Sequence, residues 1–248
     1  MQNDGIKTEQ QIIGAINGKL YSQLTPFMQH VVKKSFPAVD DSEPIVARKW
    51  YIHAKADIII EFKGERKYIS IKSGRAEVVH EEPIGSFIEF IRAHGISERT
   101  IETILLFQYG DGTTDGTGKV RKGYAEISEE LSDRLAEANK EMFKYDLVID
   151  TLERCLFGTN DKYNDGVDFI LFGCPNYGVF VSREDVLRYA MRRTYGGYIS
   201  PHIGPLLIQP FMRDVEFKSQ NQYKRDMVKI KWPRLLNDLE YLERKYSV

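Results

Sequence analysis

The sequence lacks several features that would assign it to a common class of protein. Its 248 residues include only Cys155 and Cys174 as cysteines, too few for a disulfide framework or a closed four-ligand zinc site. No apolar run approaches the roughly 18 residues that a membrane helix needs, and no apolar N-terminal segment resembles a secretion signal. We therefore expect a soluble, cytoplasmic protein with no membrane partner.

The sequence also lacks a charge bias. It has 35 basic and 36 acidic residues and a net charge of −1, so bulk charge does not indicate a nucleic-acid partner, although a local basic patch would be enough for one. Apolar residues make up 42% of the chain and aromatic residues 12%. These fractions argue against disorder and allow a substantial core.

Strand-like and helix-like segments alternate along the chain, which predicts an α/β fold. Thr8 with Gln11 forms a capping-box pattern before one helical segment, and Thr25-Pro26 precedes another. Strands are expected at 45–52, 167–173, 177–182, 205–211 and 226–232, and later helices at 83–95, 97–107, 127–143, 144–157, 183–193 and 233–246. We expect a single domain over residues 1–248: a mixed β-sheet core flanked by helices (about 6–95 plus 165–248), with a helical insertion at about 97–157.

The segment KADIIIEFKGERKYISIKSG contains two β-branched runs separated by a turn at Lys63-Gly64, which predicts a β-hairpin. Side chains alternate along a strand, so Ser70 and Lys72 share a face that Asp57 approaches from the neighbouring strand. A carboxylate there can bind Mg²⁺, and a lysine beside it can orient a water and stabilise charge on phosphorus. These parts suffice for phosphodiester hydrolysis. A simpler alternative is that Asp57 caps a turn or pairs with a lysine, and that Lys72 extends from a strand end.

The pattern KADIII…SIK resembles the core of the PD-(D/E)xK nuclease superfamily, which includes many restriction endonucleases. Ala56 stands where proline is common, Asp57 where the first metal ligand sits, and Lys72 where the lysine sits. The resemblance covers about residues 6–95 and implies a restriction-endonuclease-like αβββαβ core. It also implies that a preceding helix lends a glutamate, and Glu9 is the matching position.

One position departs from the superfamily pattern. Ser70 replaces the second acid, as in superfamily members that read serine-x-lysine and recruit a glutamate from the following helix. The matching candidates are Glu81 and Glu82, followed by Glu89. The resemblance thus implies a Mg²⁺-dependent DNA endonuclease, with Mn²⁺ as a substitute ion, acting as a homodimer.

The roles implied are Asp57 as principal metal ligand, Lys72 as water-orienting or charge-stabilising base, and Ser70 as a supporting donor. Glu81 or Glu82 would complete the metal shell, and Glu9 would hold a metal-bound water. Two alternatives stay open: a DNA-binding or scaffold protein that has lost the metal site, and a nuclease that acts on RNA or branched DNA.

Other motifs are weaker. The loop GDGTTDGTGK fits neither a phosphate-binding loop nor an EF-hand, and His80 is expected to be structural although it lies between Lys72 and the candidate glutamates. Basic and aromatic residues suited to phosphate and sugar contacts are Arg48, Lys49, Lys119, Arg121, Arg192, Arg193, Tyr195 and Tyr198. An ordinary solvated surface is the alternative for each of these clusters.

Overall fold

The computed structural model describes residues 3–50, 55–74, 77–158, 166–192, 200–212 and 222–246. Within these ranges the fold is mixed α/β, with two β-sheets and nine α-helices. This agrees with the predicted α/β class, but two sheets form where a single mixed sheet was expected.

In chain order the strands are β1 Val46–Lys49, β2 Ile58–Phe62, β3 Glu65–Lys72, β4 Val78–Pro83, β5 Phe169–Cys174, β6 Tyr177–Ser182, β7 His202–Ile203, β8 Leu206–Pro210 and β9 Met227–Lys231. The helices are α1 Asn3–Ile16, α2 Pro26–Ser35, α3 Ile84–Ala93, α4 Glu98–Tyr109, α5 Tyr124–Glu130, α6 Ser132–Met142, α7 Tyr145–Leu152, α8 Arg183–Arg192 and α9 Leu235–Tyr246.

The chain divides into two compact units. The first comprises Met1–Ala76, Leu152–Tyr189 and Arg234–Val248, and the second comprises Glu77–Thr151 and Ala190–Pro233. Most of the helical insertion expected at about 97–157 lies in the second unit. The expectation of a single domain over residues 1–248 stays a prediction.

The first unit is built on a five-stranded sheet in the order β1-β2-β3-β5-β6. Strands β1, β2 and β3 form an antiparallel meander, β3 pairs with β5 in parallel, and β6 closes the sheet in antiparallel. Isoleucines of β2 and β3 belong to one buried cluster with apolar residues of α1 and α2. Burial of this face against two helices fixes which side chains of β2 and β3 point the other way.

The predicted hairpin is confirmed. Lys63 and Gly64 have φ values of 49° and 79°, and two consecutive left-handed residues are what a two-residue turn between twisted strands requires. The ladder between β2 and β3 begins with the pair of Ile58 and Ile69, and Asp57, the residue before β2, also donates its N–H to the carbonyl of Ile69.

The second unit contains an antiparallel sheet in the order β4-β9-β8-β7, together with helices α3 to α6 and most of α7. Strand β4 was missed at the sequence level, since its segment carries His80, Glu81 and Glu82 and reads as a loop before Pro83. It is a strand because β9, far along the chain, supplies its antiparallel partner.

Two details of the predicted helices were wrong. Helix α1 begins at Asn3, so Thr8 lies inside it and does not cap it; a capping-box pattern can also occur within a helix. The helix expected over 127–143 is interrupted at Leu131, which separates α5 from α6. The predicted starts at Thr25 and Ser97 are confirmed: the two hydroxyl oxygens accept from the backbone N–H of Met28 and Thr100, respectively.

Every helix within the described ranges is too short or too polar to cross a bilayer.

Candidate active site

Asp57 immediately precedes β2 and is held in place by the backbone of both neighbouring strands. Its own N–H donates to the carbonyl of Ile69 at 2.9 Å, and its carbonyl accepts from the N–H of Trp50 at 3.0 Å. Ser70 and Lys72 lie two residues apart on β3 and therefore share one face of that strand. The Asp57 carboxylate reaches the Ser70 hydroxyl from the residue before β2.

One oxygen of the Asp57 carboxylate is used to orient the group. Oδ2 accepts from the N–H of Ile71 at 2.5 Å and from the hydroxyl of Ser70 at 3.2 Å. Among the described residues, none donates a hydrogen bond to the other oxygen, Oδ1. The arrangement holds the carboxylate firmly while leaving one oxygen available to a ligand.

The environment of Asp57 disfavours its charge. Burial raises the pKa of the Asp57 carboxyl above its ordinary value, although the Lys72 ammonium, the Ile71 N–H and the Ser70 hydroxyl act to lower it. The carboxylate of Glu9 acts in the same direction as burial. A carboxylate that has lost solvation and faces a second acid is a group that a bound cation would stabilise.

Lys72 ends β3 on the same face, half-buried. Its charge acts on the Asp57 carboxyl, but its ammonium makes no ion pair and no side-chain hydrogen bond within the described part of the chain. Asp57 and Lys72 therefore do not form the structural ion pair that the simpler alternative predicted. The Lys72 ammonium is therefore available to interact with a bound ligand.

Glu9 lies on α1 and brings a second carboxylate to the site. Its Oε2 is shielded from solvent, and Lys49 Nζ at the end of β1 lies 3.0 Å away. The two groups form an ion pair whose angles do not fit a hydrogen bond. Glu9 Oε2 thus accepts no hydrogen bond from any described residue and is balanced only by a surface lysine.

The donor set fits a hard divalent cation with few protein ligands. Mg²⁺ commonly takes one or two carboxylates and completes its octahedral shell with water and substrate phosphate oxygens. Asp57 Oδ1 and the Glu9 carboxylate are two such oxygen donors. Within the described ranges no group of three or more histidine, cysteine, aspartate or glutamate side chains is placed to hold a metal. A closed, all-protein site of the zinc type therefore does not match the residues described.

The other predicted metal ligands lie in the second unit. Glu81 and Glu82 are in β4, preceding α3 rather than lying on it, and Glu89 is exposed on α3. Glu82 is buried, and its Oε1 lies 3.5 Å from Nε2 of His80, which agrees with the structural role expected for that histidine. The first unit by itself therefore brings together Glu9, Asp57, Ser70 and Lys72, but not these glutamates.

The predicted nucleic-acid contacts have different environments. Arg48 is exposed, with its guanidinium 5.5 Å from the centroid of the Trp50 ring, while Lys49 is engaged by Glu9. In the second unit, Lys119 is exposed and Arg121 is half-buried. Arg193, Tyr195, Tyr198 and the side chain of Arg192 lie outside the described residues.

Two contributors to the site were missed at the sequence level. The N–H of Ile71 donates the shorter of the two hydrogen bonds to the Asp57 carboxylate. Because every residue but proline has a backbone N–H, the sequence does not reveal which one will bind. The pairing of Lys49 with Glu9 joins residues forty positions apart on different elements. The predicted position of Asp57 next to β3 was the only indication of the Ile71 contact. No pattern in the sequence near Glu9 or Lys49 indicated that the two would pair.

A scan against protein-family models and a search of curated proteins found no match to this chain.

Proposed function

We propose that this protein is a Mg²⁺-dependent DNA endonuclease of the restriction-enzyme type, hydrolysing phosphodiester bonds at the Asp57–Lys72 site. A homodimer would supply one such site for each strand of a duplex. The observation that carries the proposal is that the Asp57 carboxylate is hydrogen-bonded to Ser70 and Ile71 of β3, with the Lys72 ammonium and the Glu9 carboxylate close enough to act on it.

The architecture of the first unit supports the same proposal. Two helices, α1 and α2, a three-stranded antiparallel meander and a further strand parallel to β3 follow one another in that unit. Apart from the helix before the last strand, this order is compatible with the αβββαβ core that the sequence resemblance implies. A fold alone does not specify a reaction, so the side chains have to carry the functional argument.

The proposed roles follow from the hydrogen bonds. Ser70 and the N–H of Ile71 hold Asp57 Oδ2, so Oδ1 would be the oxygen available to a metal, and Glu9 would supply the second acidic group. The bound ion would supply Lewis-acid activation of water and of the scissile phosphate. Lys72, with no carboxylate paired to its ammonium in the described chain, would orient the attacking water and stabilise the charge that develops on the phosphate oxygens.

Plasmid cleavage in Mg²⁺ or Mn²⁺ tests the proposal. Wild type is expected to nick or linearise plasmid DNA, and Asp57→Asn and Lys72→Ala each to lose about 10²- to 10³-fold in rate, the usual effect of removing one electrostatic stabiliser. Lys67→Ala is the matched control, since Lys67 lies on the same strand but the opposite face and pairs with Glu65 at 2.8 Å. RNA and branched DNA run in parallel identify the substrate class. Nicking that survives both site substitutions contradicts the proposal.

A second function has a specific observation in its favour. Ser70 stands where an acid is expected, and only two carboxylates lie at the site within the described first unit. A protein with these features could bind DNA through a nuclease fold without cleaving it. Calorimetric titration with Mn²⁺ separates the two functions: a silent titration together with intact DNA binding supports the non-catalytic function.

A further inference from the structure

Lys49 is the only described basic group that forms an ion pair with Glu9. The lysine side chain is 53% exposed, whereas the Glu9 side chain is 15% exposed. A largely buried carboxylate is therefore balanced by a cation that can swing into solvent at little cost. Exposed lysine pairs of this kind contribute little stability, so the contact can be broken by a stronger competitor.

A divalent ion held by Asp57 and Glu9 would compete with Lys49 for the Glu9 carboxylate. Lys49 is paired with Ile58 across β1 and β2, one residue from Asp57, and its ammonium meets Glu9 Oε2. A divalent ion shared by Asp57 and Glu9 would need that carboxylate and would be repelled by an ammonium beside it. The lysine thus engages, with a single charge, a carboxylate that the proposed metal site needs.

We propose that Lys49 is an internal competitor of the metal, holding Glu9 in the metal-free protein and lowering the affinity of the site for divalent ions until it is displaced. This inference rests on the proposed function, because it assumes that Asp57 and Glu9 hold the ion. It also reassigns Lys49, which the sequence suggested as a phosphate contact, to a positioning role on Glu9.

Isothermal titration calorimetry with Mn²⁺ alone, without nucleic acid, tests the inference. Lys49→Gln removes the charge and keeps much of the side-chain length, and Mn²⁺ is expected to bind about three- to tenfold more tightly. Lys49→Arg keeps the charge and is expected to bind Mn²⁺ no more tightly than wild type.

Lys63→Gln is the matched control. Lys63 is 48% exposed and pairs with Asp40 at 2.8 Å in the same unit, so its removal changes the net charge equally without touching Glu9. Its Mn²⁺ affinity is expected to equal that of wild type. In a Glu9→Gln background, Lys49→Gln is expected to change the affinity by less than about twofold, because the group that Lys49 holds is gone.

The outcomes separate this inference from the function on which it rests. Unchanged or weaker binding by Lys49→Gln, or an equal gain in the Glu9→Gln background, overturns the competitor role while leaving the metal site intact. Binding of Mn²⁺ by neither wild type nor Lys49→Gln overturns both. Tight binding by Lys49→Gln with weak binding by wild type supports both.

Discussion

Asp111, in the second unit, has both oxygens of its buried carboxylate engaged, whereas Asp57, in the first, has one oxygen to which no described residue donates a hydrogen bond. Oδ1 of Asp111 accepts from the backbone and hydroxyl of Thr113 at 3.0 and 2.7 Å, and Oδ2 lies 3.4 Å from a guanidinium nitrogen of Arg225. That nitrogen also donates to the carbonyl of Gly116 at 2.8 Å. The side chains of Asp111 and Arg225 are 0% and 3% exposed.

The difference between the two sites distinguishes structural from functional burial of charge. The Asp111 pair joins the glycine-rich loop to the 3-10 turn Gln222–Asp226 before β9, and both oxygens of the Asp111 carboxylate are engaged there. At Asp57, burial raises the pKa while the nearby Lys72 ammonium makes no ion pair in the described chain. A buried charge that its neighbours leave partly unsatisfied is the arrangement expected where a ligand binds.

The largest effect is expected from breaking the structural pair. Asp111→Asn leaves the buried guanidinium of Arg225 without its counter-charge, and we expect the free energy of unfolding to fall by about 3–5 kcal/mol. Urea denaturation followed by circular dichroism measures this. A loss below about 1 kcal/mol would contradict the structural role of Asp111, because a surface acid contributes about as much.

A smaller loss is expected from filling the loop beside that pair. Gly116 has a φ of 74°, and a Cβ added there would lie 2.6 Å from the Tyr109 ring. We expect Gly116→Ala to lower the free energy of unfolding by about 1–3 kcal/mol. Gly112→Ala is the control, since Gly112 also has a positive φ, 81°, but open space around it. Equal losses in the two variants would mean that backbone conformation alone, and not the packed loop, sets the cost.

At Asp57, in contrast, we expect a substitution not to lower the free energy of unfolding. In Asp57→Asn the amide oxygen can still accept from Ile71 and Ser70, and no charge has to be desolvated. We therefore expect the free energy of unfolding at neutral pH to equal or exceed that of wild type, although cleavage is lost. Urea denaturation at pH 7 checks this, and a loss comparable to that of Asp111→Asn would make Asp57 a structural residue.

The pH dependence of that difference follows from the raised pKa of Asp57. The folded protein favours the protonated acid, so its contribution to wild-type stability is fully present below the ordinary pKa of 3.8 and is lost as the pH rises through the raised folded-state pKa. Relative to wild type, Asp57→Asn should gain stability from acid to neutral pH. Denaturation curves at several pH values measure the trend, and a relative loss with rising pH contradicts it.

The smallest effect is expected from Ser70→Ala. The substitution removes one of the two hydrogen bonds to Asp57 Oδ2 and leaves the Ile71 N–H in place, so we expect about 1 kcal/mol or less in stability. Cleavage should fall by about tenfold, as for other groups that orient a metal ligand. Ser70→Thr, which keeps the hydroxyl, should recover most of the rate. Equal cleavage rates in Ser70→Ala and wild type would show that Ser70 does not orient Asp57 for cleavage.

Local rules were enough for the part of the site that lies within one hairpin. The turn at Lys63-Gly64 and the alternation of side chains place Ser70 and Lys72 on one face, and both are properties of neighbouring residues. Glu9 was suggested only by the superfamily resemblance, because the packing of α1 on the sheet depends on the whole core. Its pairing with Lys49 could not be foreseen for the same reason.

The second unit shows where sequence patterns are insufficient. Strand β4 contains the buried polar Glu82, whose Oε1 lies 3.5 Å from Nε2 of His80 and whose strand pairs with β9. The sequence VVHEEP has no periodic pattern that would predict pairing with β9. The loop at Asp111 was correctly predicted as a loop, but its tie to Arg225, more than a hundred residues away, was not visible in the pattern.

Titration of wild type and Asp57→Asn with Mn²⁺ in a calorimeter tests the central claim most directly, because the variant is expected to stay folded and to differ only in the carboxylate. Saturable binding by wild type and its loss in Asp57→Asn are the result that a metal-dependent hydrolase at this site requires. Equal heats for the two proteins, or no binding by wild type, would contradict the assignment of Asp57 as a metal ligand.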